Sequence, residues 1–112
     1  MDSLSNHAAP TPLRELLRRR LLQRRAALAV ILEDVLARKD RTAVLEALGL
    51  RRPGVRPEQT LCEAIKQVEQ RRILLVSDFE RYCRCNVCGA ALDSAALEQA
   101  AWADRCAMHS AA

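Results

Sequence analysis

Three cysteines and one histidine stand in two short pairs near the carboxyl end of the sequence. Cys85 and Cys88 are separated by two residues, as are Cys106 and His109, and 17 residues lie between the pairs. A two-residue spacer lets one tight turn present two ligands to a tetrahedral ion, and thiolate and imidazole are ligands that Zn²⁺ prefers. The spacing therefore predicts one Zn²⁺ bound by these four side chains.

A site with four protein ligands leaves no position for a reactive water, which favours a structural metal over a hydrolytic one. Cys83 also forms a close pair with Cys85. Because a two-residue spacer makes the better chelate, we expect Cys83 to stay outside the ligand set. The sequence contains no Ser/His/Asp set and no phosphate-binding loop, so we predict that the protein is not an enzyme.

The composition favours helices over sheets. The 112 residues are 50% hydrophobic but only 3% aromatic, and alanine and leucine supply much of the apolar content. Such a chain suits an all-α fold better than a β-sandwich or barrel. The net charge is +4, with the basic excess in residues 1–59. A basic half could meet nucleic acid or an acidic protein surface, although a charge run is usually a solvated helix face.

Two segments have apolar residues in alternating steps of four and three, which is typical of helices packed along one seam. The first helix is predicted at about 13–38, with Thr11 as N-cap and Pro12 in its first turn, and the second at about 58–81. An antiparallel arrangement that pairs residue numbers summing to 96 brings the two seams together. Cys62, one position from the seam, is expected to be a buried or half-buried apolar residue. The seam residues are Leu17, Leu21, Leu28, Ile31 and Val35, and then Leu61, Ile65, Val68, Leu75, Phe79 and Tyr82, with one arginine interrupting each set.

These features predict an all-α protein, built as an antiparallel two-helix coiled-coil hairpin followed by a small zinc-finger module with a C-terminal helix. In the connection, we expect Asp40 to cap a short helix through about Leu48 and Gly49 to end it. No secretory signal and no membrane-spanning run is visible, so we expect a cytoplasmic protein with reduced thiols and no membrane partner. The predicted parts are a disordered lead-in at 1–11, the hairpin at 12–81 with its tip at about 39–57, and the zinc module at 82–112.

The cysteine pairs lie within a longer pattern. Tyr82 to Gly89 reads YCRCNVCG, and Leu92, the pair Leu97-Glu98 and the segment from Trp102 to Cys106 follow. This pattern resembles the zinc finger of the DksA/TraR transcription factors, which reads Y-G-x-C-x-x-C-G, an aliphatic residue, L-E-A and a second ligand pair. The likeness is close over 82–109 and extends, with the hairpin, over about 12–109.

The resemblance implies a bacterial regulator that binds RNA polymerase directly and does not read a DNA sequence. It implies that the hairpin enters the secondary channel of the polymerase and that the zinc module braces the base of the hairpin. The family's tip carries the pattern D-x-x-D-x-A, which falls here on Ala37, Asp40 and Thr42. The polymerase-contacting tip is therefore expected at Asp40, Thr42 and Ala43.

This sequence departs from the family pattern at several positions. His109 stands where cysteine is usual, and Cys83 stands where glycine is usual; neither change prevents zinc binding. The family's arginines near L-E-A, used in part to bind guanosine tetraphosphate, are replaced by alanines at positions 95, 96 and 100. We therefore do not expect this chain to bind the alarmone.

Two other functions compete with the polymerase regulator. The first is a zinc-braced adaptor whose hairpin docks on another protein, since a fold does not determine a function. The second is a nucleic-acid-binding module that uses the basic face between Arg14 and Arg25. That module would lose affinity steeply with salt, and the sequence lacks the aromatic residues on which single-strand binders stack bases.

Overall fold

The computed structural model describes residues 11–110. The predicted disordered lead-in falls on residues 1–10 apart from Thr11, and so lies outside the described residues. Within the described part the protein is mostly helical and has no strand, as the all-α prediction requires; one isolated bridge joins Arg84 and Ala91. The helices are α1 (Pro12–Leu36), α2 (Thr42–Ala47), α3 (Pro57–Ser77), α4 (Phe79–Tyr82), α5 (Ser94–Gln99) and α6 (Ala107–Ser110).

The start of α1 follows the prediction. The N–H of Arg14 donates to Oγ1 of Thr11 over 3.2 Å, which is the geometry of an N-cap. Pro12 occupies the first helical position, where its missing N–H has no partner to lose. The cap and the proline together set where α1 begins.

The end of α1 contains an unusual backbone. Arg38 has φ of 64°, and its N–H donates to the carbonyl of Val35 over 2.9 Å while the N–H of Lys39 donates to that of Asp34 over 2.9 Å. These two bonds form a Schellman motif, which normally places glycine at the left-handed position. Arg38 therefore holds a conformation that costs about 1–2 kcal/mol for a residue with a Cβ.

The two long helices pack together along the predicted seams. Arg14 of α1 donates to the carbonyl of Leu75 over 3.4 Å, and Arg25 pairs with Glu69 over 2.7 Å. The contact farther along α1 therefore involves a residue earlier in α3, which is the order expected of two antiparallel helices. Along both helices the buried seam residues are Leu17, Leu21, Leu28, Ile31, Leu61, Val68 and Leu75.

The second long helix is shorter than predicted. α3 begins at Pro57 as expected but ends at Ser77 rather than near residue 81. Asp78 then accepts a hydrogen bond from the N–H of Arg81 over 3.1 Å and caps the separate helix α4. Aspartate is among the strongest N-capping residues, so this cap starts a new helix where the seam pattern alone predicts continuation.

The connection between α1 and α3 confirms the predicted short helix. Gly49 follows the C-cap of α2, Leu48, and has φ of 70°. The N–H groups of Gly49 and Leu50 donate to the carbonyls of Glu46 (3.0 Å) and Leu45 (2.8 Å), respectively. This second Schellman motif has the expected glycine at its left-handed position. Leu45 itself is buried and anchors α2.

The described residues divide into two compact units. One contains those up to Leu22 and those from Arg71 onward, and the other spans Gln23–Gln70. Cys62 is exposed, which contradicts the expectation that it packs beside the seam. Between residues 11 and 110, no helix has both the length and the apolar content needed to cross a bilayer.

Candidate metal centre

The first ligand pair sits on a tight turn that directly follows α4. The N–H of Gly89 donates to the carbonyl of Cys85 over 2.9 Å, and the N–H of Cys85 donates to that of Ala90 over 2.8 Å. Gly89 has φ of 75°, a conformation that glycine adopts without steric cost. The turn therefore returns on itself and presents the thiols of Cys85 and Cys88 from one short segment.

The second pair opens α6. Cys106 precedes the helix, and its carbonyl accepts a hydrogen bond from the N–H of His109 over 3.0 Å. One helical turn thus sets the spacing between the Cys106 thiol and the His109 ring. The ring nitrogen that faces the thiols is Nδ1.

The four predicted ligand atoms come together in one cluster. The three Sγ atoms and the imidazole nitrogen all lie within 4.8 Å of one another. Cys88 Sγ is 3.7 Å from Cys106 Sγ, and His109 Nδ1 is 3.2 Å from Cys106 Sγ. A tetrahedral Zn²⁺ with bonds of about 2.3 Å to sulfur separates its sulfur ligands by about 3.8 Å. The cluster could therefore hold a metal ion, and its Cys88–Cys106 edge has nearly this length.

Cys83 is not part of the cluster. The group of ligand atoms found among the described residues consists of Cys85, Cys88, Cys106 and His109 alone. Cys83 is half-buried, and burial raises the pKa of its thiol. This placement is consistent with the expectation that Cys83 stays outside the ligand set.

The two halves of the centre are joined by a polar link that the sequence analysis missed. The N–H of Asn86 donates to the carbonyl of Asp104 over 2.9 Å, and its Nδ2 donates to Oδ2 of Asp104 over 3.2 Å. Asn86 directly follows Cys85, and Asp104 lies two positions before Cys106. An asparagine and an aspartate so close to the ligands are a signal that could have suggested this contact.

A buried tyrosine fastens the segment between the pairs. Tyr82 is 0% exposed, and its hydroxyl donates to the carbonyl of Ala101. Arg71 of α3 lies over the ring at 3.8 Å from its centroid and donates from Nη2 to the Tyr82 carbonyl over 2.8 Å. Arg71 is itself 4% exposed, and burial lowers its pKa. This arginine was not predicted to be buried, although its position four residues before Leu75 places it beside the seam.

The surroundings of the thiols favour thiolate at two positions. Burial alone would raise the pKa of Cys85, but N–H groups of Cys88, Cys106 and Val87 together lower it to about 6. The hydrogen bond with His109 lowers the pKa of Cys106 and raises that of His109 itself. Thiolate is the form that binds metal, so Cys85 and Cys106 are the thiols that these surroundings favour, whereas the pKa of Cys88 is raised.

The predicted tip residues belong to the other unit. Oδ1 of Asp40 accepts hydrogen bonds from the N–H of Thr42 (3.0 Å) and from its hydroxyl (2.7 Å). The Thr42 N–H, followed by its hydroxyl, lowers the pKa of Asp40. Asp40, Thr42 and Ala43 are all exposed at the start of α2. The N-cap position of α2 belongs to Arg41, which makes no side-chain capping bond, so the prediction that Asp40 caps this helix is wrong. Asp40 stands one residue earlier, and its exposed carboxylate accepts the hydrogen bonds of Thr42 instead.

Comparisons with known proteins identify no relative. No protein-family model matches the chain, and no curated protein and no solved structure is significantly similar to it.

Proposed function

We propose that this protein is a transcription regulator of the DksA/TraR kind, which binds bacterial RNA polymerase through its helical hairpin and carries a structural zinc. The observation that supports the proposal is the Cys₃His cluster placed directly after a pair of long packed helices. The role is non-enzymatic, and the protein acts in the cytoplasm, where the polymerase is. Neither guanosine tetraphosphate nor a DNA sequence is required.

Zinc is the metal that suits this donor set. Three sulfurs and one imidazole nitrogen are soft or borderline ligands, and such sets bind Zn²⁺ in tetrahedral structural sites. Magnesium and calcium need oxygen ligands, and the cluster contains none. When bound, zinc would join the Cys85 turn to the start of α6, so its function is to hold the module together.

The tip would act through the Asp40 carboxylate. In the polymerase active site a carboxylate could reorganise the coordination of the catalytic Mg²⁺, because hard cations prefer oxygen ligands. Both hydrogen bonds from Thr42 end on Oδ1, and Asp40 is exposed. The carboxylate is therefore ionised and held in one orientation at the tip.

The proposal is tested with purified core RNA polymerase, by measuring both co-purification and the effect on initiation. Asp40→Asn removes the charge but keeps a side-chain oxygen that can accept the hydrogen bonds of Thr42. We expect it to preserve binding and to weaken the effect on initiation. Glu80→Gln, at an exposed carboxylate of α4, is the matched control and should behave like the unchanged protein.

Other outcomes separate the alternatives. If the zinc-loaded protein does not bind core polymerase at all, the proposal is wrong and the adaptor function is favoured. If Asp40→Asn changes neither binding nor initiation while Arg51→Ala with Arg52→Ala abolishes both, the tip works by a basic contact. In that case the mechanism of the family does not apply to this chain.

A further inference from the structure

α1 carries a second stripe of residues on the side opposite its buried seam. The spacing is again four and three, so the stripe forms one continuous line along the helix. Beside it, the residues Val30 and Leu36 are 55% and 64% exposed. The stripe consists of Arg19, Ala26, Ala29 and Glu33, which are exposed, and Leu22, which is half-buried. Small and apolar side chains at the middle of the stripe would let another helix approach closely.

Charge is distributed unevenly along the same helix. The first part of α1, from Pro12 to Arg25, contains six arginines and one acidic residue, Glu15. The second part, from Ala26 to Leu36, contains two acidic residues and no basic one. Two copies of such a helix attract each other when they run antiparallel. A parallel arrangement would set arginine against arginine, which is repulsive. The charge pattern of α1 is therefore complementary to itself in one direction only.

One antiparallel register brings the oppositely charged ends of the stripe together. With Ala26 on the two-fold axis, Arg19 lies opposite Glu33 of the second copy, and Leu22 lies opposite Val30. Each of these contacts occurs twice, as a two-fold interface requires. Within residues 11–110, neither Arg19 nor Glu33 forms a salt bridge, and the nearby Glu15 is already paired with Arg18 over 2.6 Å.

We infer that this outward face of α1 is a self-association surface whose occupant is a second copy of the chain, packed antiparallel. A nucleic acid fits the face poorly, because it would meet Glu33 and the apolar middle of the stripe. One helix face buries less than a standard interface of about 1,600 Å², so we expect a dissociation constant on the order of 10–100 µM. The inference does not rest on the proposed function.

The experiment is sedimentation equilibrium of the full-length, zinc-loaded chain from about 5 µM to about 1 mM at low salt. Arg19→Glu and Glu33→Arg each place like charges opposite each other at two symmetric points. Each is expected to weaken dimerisation about tenfold, and the double variant should recover to within about threefold of the unchanged chain. Arg20→Glu makes the same charge change at an exposed neighbour off the stripe, and should have no effect.

A further variant tests the centre of the interface. Ala26→Glu brings two carboxylates together on the two-fold axis and should leave the chain monomeric, while circular dichroism confirms that it remains folded. The inference is overturned if the unchanged chain is monomeric at about 1 mM, or if the double variant fails to recover. It is also overturned if Arg20→Glu weakens dimerisation as much as Arg19→Glu, since the effect would then reflect net charge alone.

Discussion

Removing the hydroxyl of Tyr82 tests whether the tyrosine fastens the segment between the two ligand pairs. In Tyr82→Phe the ring keeps its place beside Arg71, at 3.8 Å, and beside Phe79, at 6.0 Å. Only the donor to the carbonyl of Ala101 is lost, and both residues are 0% exposed. A buried carbonyl left without a partner costs about 1–3 kcal/mol. The free energy of unfolding should fall by that amount, and Tm by about 4–12 °C.

The assay is urea unfolding of the zinc-saturated protein, with equal m-values required before the midpoints are compared. Ser77→Ala is the matched control, because it also deletes one hydroxyl that donates to a carbonyl, that of Ile73 at 2.8 Å, but at an exposed position. We expect the control to lose no more than about 0.5 kcal/mol. If Tyr82→Phe loses no more than Ser77→Ala, the buried hydrogen bond is not what holds this segment, and the reasoning is wrong.

Three further predictions follow from the geometry. Burial raises the pKa of Tyr82 to about 12 from the ordinary 10. The stabilisation by the protonated hydroxyl is therefore complete below pH 10 and is lost as the pH rises towards 12. In urea unfolding experiments, the difference in unfolding free energy between the unchanged protein and Tyr82→Phe should become smaller over that pH range. Arg38→Gly should raise the unfolding free energy by about 0.5–1 kcal/mol by relieving the left-handed strain, whereas Arg38→Ala, which keeps a Cβ, should give no gain. Metal analysis should find one Zn²⁺ per chain in the unchanged protein and in Cys83→Ser but less in Cys88→Ser; full zinc in Cys88→Ser would contradict the ligand assignment.

Features that depend on a few neighbouring residues could be predicted from the sequence. Thr11 caps α1, and Gly49 and Gly89 occupy left-handed positions. Each is set by the local chemistry of its own turn, in which a short side chain or a missing Cβ decides the backbone. Arg38 is the exception, because nothing in its residue type indicates a left-handed φ.

Periodicity predicted which face of each long helix is buried, but not how deeply or how far. Val35, Ile65 and Phe79 of the predicted seam are only half-buried, and Cys62 is exposed. The heptad pattern describes one helix at a time, whereas burial depends on what covers it. The length of the second helix also differs from the pattern, because Asp78 caps α4 and the long helix α3 ends at Ser77.

For the candidate metal centre, the sequence by itself determined the two pairs of ligands, since a two-residue spacer is a property of one tight turn. Only the tertiary structure decided that the pairs meet within 4.8 Å and that Cys83 stays outside. It also decided that Arg71 is buried against Tyr82. Eleven positions separate these two residues, and 18 separate Cys88 from Cys106. Contacts over such separations depend on how the intervening chain closes and packs, which spacing alone does not encode.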